Sequence, residues 1–171
     1  MTKAADTVAE RQAVSRLALD SSVLVAWILQ QPPVWQAVDD LVLRSGIELL
    51  VPAPVVTEVI YVVRARGNTA PPRQIAEALT GVGLRVEHLV NADLVRAAEL
   101  VEASRTQSRA KTERRRTTPA PQPSSPQPSL SLADAMILAV AERLQVAILT
   151  RDRYWSELAD GGVLATTVRQ L

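Results

Sequence analysis

Residues 17–29 read Leu17-Ala18-Leu19-Asp20-Ser21-Ser22-Val23-Leu24-Val25-Ala26-Trp27-Ile28-Leu29, an apolar run broken once by a polar triplet. The break divides it into a short buried strand, a turn, and the start of a helix. The same rhythm continues outward. Pro32-Pro33 ends that helix and opens another, to about Arg44. A second strand covers 47–51 and is closed by Pro52-Ala53-Pro54; a helix over 55–66 follows, stopped by Gly67-Asn68. A helix over 72–80 and a third strand over 84–89 lead to a helix over 93–104, with Leu94, Ala97, Ala98 and Val101 on one face. Further on come a helix over 131–144, a strand over 146–149 and a short helix near 153–159. Val163-Leu164-Ala165 is the expected last strand.

Strands that alternate with helices and are apolar throughout belong to a parallel sheet covered on both faces. The expected fold is therefore α/β, a three-layer α/β/α sandwich around a central parallel sheet. Right-handed crossovers favour the strand order 3-2-1-4-5. The chain then reverses direction between the first and fourth strands, and ligands of open α/β sheets bind at such a crevice, beyond the strand C-termini.

Composition narrows the chemistry. The 171 residues suit one domain, and 47% are hydrophobic, but only 3% are aromatic and none is Phe. Without Cys there is no disulfide, thiolate metal site or cysteine nucleophile, and the lone His88 cannot build a zinc site. Seventeen of the 19 basic residues are Arg, so a mechanism that needs a Lys has only Lys3 and Lys111. The net charge of +1 says little about partners. No apolar run approaches the length of a membrane span, and the first 16 residues lack a signal-peptide core, so a soluble cytoplasmic protein is expected. His88 reads as an ordinary strand residue, and Trp27, Trp35 and Trp155 as packing residues.

Two segments fall outside the globular pattern. Residues 1–15 form a mixed-charge N-terminal extension to a single domain over 16–171. Residues 105–129 contain no Val, Leu, Ile or aromatic residue; the first half is basic and the second carries five Pro. The expectation is a loop or disordered insertion, because so little apolar surface cannot offset the entropy of ordering.

Four carboxylates lie at one edge of the inferred sheet. Asp20 follows the first strand and Asp152 the fourth, after Thr150-Arg151; Glu58 and Asp134 lie in the first turns of apolar helices. Each has an ordinary structural role open to it. Asp20 and Asp152 suit helix N-caps, Asp134 suits a capping box with Ser131, and Glu58 suits a helix N-terminus. Together they suggest more, since unpaired carboxylates in apolar runs are costly and few Arg or Lys lie at neighbouring positions to offset them, Arg151 being the nearest candidate. A hard divalent cation would do so, with oxygen ligands of the kind Mg²⁺ takes. Such a cluster suits phosphodiester hydrolysis.

These residues carry a resemblance. Asp20-Ser21-Ser22 after a strand, Thr57-Glu58 in an apolar helix, Leu132-Ala133-Asp134-Ala135 opening a helix and Thr150-Arg151-Asp152 after a strand resemble the PIN domain, and more narrowly the single-domain VapC-type toxin ribonucleases. The resemblance covers about 17–104 and 130–168. It implies Mg²⁺-dependent cleavage of RNA, with Mn²⁺ able to substitute. Asp20, Glu58, Asp134 and Asp152 would be catalytic, with Asp20, Asp134 and Asp152 on the metal. Ser22, Thr150 and Arg151 would stand nearby or meet substrate. It also implies a homodimer and a cognate antitoxin. The 105–129 insertion departs from the family pattern. Other classes fit less well: a phospho-receiver needs an acidic pair and a late Lys, and a haloacid-dehalogenase-like phosphatase needs an Asp where Ser22 stands. Gly81-Val82-Gly83 precedes a strand, unlike a phosphate loop, and there is no Gly-x-Ser-x-Gly elbow. A PIN-like module that binds RNA or protein without cutting is the main alternative.

Overall fold

A computed structural model describes residues 15–44, 46–116 and 129–171. Five parallel strands form one sheet in the order β3-β2-β1-β4-β5: β1 (Ser15–Leu19), β2 (Ile47–Pro52), β3 (Arg85–Glu87), β4 (Ala147–Thr150) and β5 (Val168–Gln170). Leu17, Ala18 and Leu19 are buried in succession, as are Leu49, Leu50 and Val51, so side chains on both faces of the central strands are covered. The three-layer α/β/α architecture and its strand order agree with the sequence reading. Asp20 N–H donates to Leu149 O across the β1–β4 junction, the reversal point of the sheet.

Seven helices surround it among the described residues: α1 (Ser21–Ile28), α2 (Val34–Leu43), α3 (Ala53–Ala65), α4 (Pro72–Gly81), α5 (Asn91–Arg116), α6 (Leu132–Leu144) and α7 (Arg153–Asp160). Their starts follow local chemistry. Asp20 caps α1 and Asp152 caps α7, each accepting a backbone N–H, while Ser131 and Asp134 form a reciprocal capping box at α6. Proline lies in the first turn of α3 and of α4, where its missing N–H costs nothing. The aliphatic core extends from Leu19, Val23 and Leu24 to Ile137, Leu138 and Ile148, closed at one side by Trp155. Trp155, 1% exposed, is the packing residue expected; His88 lies exposed just beyond β3.

Three boundaries differ from expectation. Helix α5 does not stop at Ser104 but continues to Arg116, so the first half of the 105–129 segment is helical. Arg, Lys, Gln and Ala are good helix formers, and this stretch is docked through polar groups that an apolar count overlooks: Ser108 Oγ meets Tyr154 OH at 3.3 Å and Lys111 Nζ reaches Glu157 at 2.9 Å. Residues 117–128 lie outside the described set, as do residues 1–14 of the N-terminal extension. The buried face of α5 is also rotated from the expected one. It consists of Asp93, Ala97, Leu100 and Ser104, while Leu94 and Ala98 face outward. Asp93 can lie inside because Arg143 Nε donates to it at 2.8 Å and Val90 N–H at 2.9 Å. The last strand is Val168–Gln170 rather than 163–165. An edge strand needs no apolar face, and Leu164 is instead a core residue in the loop before it. The strand over 84–89 is shortened to Arg85–Glu87.

Replacing Arg143 with Ala would leave Asp93, 1% exposed, without its counter-ion. The expected loss is on the order of 3 kcal/mol, read as a lower urea midpoint. Gln145, the C-cap of α6, holds φ +54°. Gln145→Gly should raise stability by about 0.5–1 kcal/mol, the relief of left-handed strain less the greater freedom of glycine in the unfolded chain.

Candidate active site

The β1–β4 junction carries a relay of hydrogen bonds centred on Asp20. Its Oδ1 accepts from Ser21 N–H at 2.7 Å and, more weakly, from Ser21 Oγ at 3.4 Å. Its Oδ2 accepts from Ser22 Oγ at 2.6 Å and from Thr150 Oγ1 at 2.8 Å. Both hydroxyls also accept: Thr150 Oγ1 from Asp152 N–H at 3.0 Å, and Ser22 Oγ from Arg151 N–H at 3.1 Å. The loop after β4 is thereby fastened to the turn after β1 through a carboxylate that is 3% exposed.

The other acids meet this point from separate elements. Asp152 Oδ1 accepts from Tyr154 N–H at 2.8 Å as the cap of α7. Asp134, in the first turn of α6, receives Ser131 Oγ at 2.7 Å and Ser131 N–H at 3.3 Å on Oδ2. Burial pushes the Asp134 carboxyl above its usual range; the Ser131 hydrogen bonds oppose this, and the charges of Asp20 and Asp152 add to it. Glu58 on α3 is raised for the same reasons. Burial is the larger cause, the Ser21 hydroxyl opposes it, and the charges of Asp20 and Asp134 reinforce it. Each acid thus feels the negative charge of another across four elements of the fold.

No described cationic side chain offsets this. Among the described residues, none of the four acids forms an ion pair. Arg151, the candidate neighbour by sequence, directs its guanidinium at Gln31 Oε1, 3.1 Å away. Of the residues expected around the acids, Ser22 and Thr150 bond directly to Asp20, whereas Arg151 contributes only its backbone N–H to the relay. Ser21 was missed as a separate site residue. The signal was present in a hydroxyl immediately after an Asp that ends a strand. A groove of about 660 Å³ lined by Ile60, Tyr61, Arg64 and Thr69 lies further along α3 and contains none of the acids.

The donor set fits a hard cation in kind. All the available ligands are oxygens, and Glu58 Oε2 is buried without a hydrogen-bond partner. As the side chains stand, no three acids among the described residues close around a single point.

No curated protein matches the chain by sequence. Among solved structures, the fold is similar to Rickettsia felis VapBC2 bound to a DNA fragment from their promoter, with TM-score 0.56 and 10% identity over 91% of this chain and 98% of that one. It is similar also to a toxin–antitoxin complex from Klebsiella pneumoniae, with TM-score 0.52 and 14% identity over 80% and 86%. A third is Mycobacterium tuberculosis VapC20, described as a sarcin-ricin loop cleaving toxin, with TM-score 0.51 and 14% identity over 82% and 93%. At these identities the likeness is one of fold. The PIN domain pattern itself matches residues 17–161, a span that runs from within β1 through α7 and includes all four acids, and by that match the chain belongs to the PIN domain family.

Proposed function

We propose that the chain is a metal-dependent endoribonuclease that hydrolyses RNA phosphodiester bonds and acts as the toxin of a toxin–antitoxin pair. One observation carries this reading: four carboxylates from four elements share one edge of the sheet, mutually repelling, with no cationic side chain paired to them among the described residues. Asp20, Asp134 and Asp152 would hold Mg²⁺, with Mn²⁺ able to substitute. When bound, the cation would lower the pKa of an attacking water and offset charge on the phosphate.

The roles of the chain's own groups follow from their bonding. Ser21, Ser22 and Thr150 fix the orientation of Asp20, so Ser22 and Thr150 are positioning residues. Hydrolysis adds one water oxygen to phosphorus and breaks one ester P–O bond, and the leaving oxygen gains a proton. Glu58, with a raised pKa and an unbonded oxygen, is suited to take the proton from the attacking water. Arg151 is exposed on the loop beside Ser22, where a substrate phosphate could be met. A cognate antitoxin, a homodimer and a cytoplasmic location complete the proposal. The antitoxin is supported by the toxin and toxin–antitoxin descriptions of the similar structures, while the homodimer and the location rest on the family resemblance.

Incubation with total RNA, followed by mapping of new 5′ ends, tests the reaction. Cleavage should require Mg²⁺ or Mn²⁺ and stop in EDTA. Asp20→Asn should lower it by at least about 100-fold while keeping the fold. Activity that persists in EDTA, or in folded Asp20→Asn protein, sinks the mechanism. If cleavage is absent and calorimetry with Mn²⁺ shows no binding, the non-cutting module is the better reading.

Stability offers a separate check. A carboxyl with a raised folded-state pKa costs stability once pH exceeds its unfolded value, and the cost is complete above the folded value. In chelator near pH 7, Glu58→Gln should therefore melt at a higher temperature than wild type. The advantage should shrink as pH falls toward about 4, where both states of Glu58 are protonated. With Glu58 intact, adding Mg²⁺ should raise the melting temperature, because the ion binds only the folded site.

A further inference from the structure

Helix α5 is longer than its packing on α6 requires. The two helices run antiparallel: Asp93 meets Arg143 and Arg96 meets Glu142 near the end of α6. At the other end, Ser104 Oγ accepts from Leu130 N–H, just ahead of α6. Residues beyond Ser104 therefore continue past the start of α6, on the sheet edge where Asp134 stands. From Arg105 to Arg116 this adds about 18 Å of helix.

The base of this extension is docked on α7, the helix that Asp152 caps. Ser108 meets Tyr154, whose own N–H is bound by Asp152, and Lys111 pairs with Glu157. The Gln107 amide fills the space over Gly161 that a β-carbon would occupy. Between 105 and 116 the chain has six basic residues, Arg105, Arg109, Lys111, Arg114, Arg115 and Arg116, against Glu113 alone. Arg105 and Arg109 lie one turn apart, exposed, with no ion pair among the described residues.

We propose that the extension of α5 is an RNA-binding arm, with Arg105 and Arg109 taking phosphates of single-stranded RNA next to the acid cluster. This rests on the nuclease reading and adds a binding site outside the acids. The chemistry is complementary. A carboxylate cluster repels a polyanion, so affinity for the flanking nucleotides must come from elsewhere. Guanidinium groups match phosphate in charge and in the fork of their N–H donors. A helix fastened at its base presents them at a fixed place, with less ordering cost than a free tail.

The test measures the affinity of full-length protein for a labelled single-stranded RNA across a salt series, in EDTA to prevent cleavage. Three proteins are compared: wild type, Arg105→Gln/Arg109→Gln, and Arg66→Gln/Arg73→Gln, which loses equal charge from the end of α3 and from α4. Gln has nearly the helix propensity of Arg, and circular dichroism checks that α5 persists. Removing two phosphate contacts should flatten the slope of log affinity against log salt by about 1.4 and weaken binding at low salt. The α3/α4 variant should change the slope by less than half as much. Equal slopes for wild type and Arg105→Gln/Arg109→Gln overturn the arm, as does a wild type that shows no salt-dependent RNA binding. Polyglutamate binding that depends on Arg105 and Arg109 while the RNA slopes stay equal also overturns it, in favour of an acidic protein surface. The two readings fail separately. Cleavage with equal slopes removes the arm and leaves the nuclease, and a flattened slope without cleavage does the reverse.

Discussion

Asp20 takes a carboxylate out of water at the junction of the two central strands, where it is 3% exposed. An ion placed there is tolerated only when donors replace its lost hydration. The backbone N–H of Ser21 and the hydroxyls of Ser22 and Thr150 do so. Because those hydroxyls in turn receive N–H groups from Arg151 and Asp152, satisfying one charge also fixes the path of the chain after β4. The position of Asp152, and the point where α7 begins, both depend on that exchange. Removing Thr150 Oγ1 would therefore unfasten a loop as well as a buried carboxylate.

The structural and functional readings of the acids turn out not to compete. Asp20 and Asp152 are N-caps, and Asp134 belongs to a capping box, as their positions suggest. Their gathering follows from those same roles. In a parallel sheet every helix that follows a strand starts at the same edge, so the caps of α1 and α7 lie together and the first turn of α6 joins them. Helix N-termini bring partial positive charge and unpaired N–H groups to that edge. This offsets part of the repulsion among the carboxylates, with which no Lys or Arg is paired among the described residues.

The central strands and helix starts were legible because their signals are local. Apolar runs ended by Asp-Ser-Ser or Thr-Arg-Asp mark both the end of a strand and the acid that follows it. What escaped depends on partners distant in sequence. Asp93 enters the core only because Arg143, fifty residues later, reaches it, so an apolar count placed the buried face of α5 on Leu94 and Ala98. Helix 105–116 lacks apolar anchors and is instead held by Tyr154 and Glu157. Strand β5 carries Arg169 and Gln170 and is defined by pairing with β4, not by hydrophobicity. The acids were placed at the correct edge, but the raised pKa values of Glu58 and Asp134 and the orphaned Glu58 oxygen arise from burial that no spacing rule reports.

The two outermost strands, β3 and β5, have three residues each, and both carry charge: Arg85 bridges Glu48 and Glu87, and Arg169 is exposed on β5. A sheet's border is a row of unmatched amides that can recruit a stranger's backbone, and short charged borders offer little to recruit with. The chain can thus keep its three aliphatic central strands in register while remaining a poor seed for fibrils. A protein held at high local concentration beside copies of itself would benefit from that reticence.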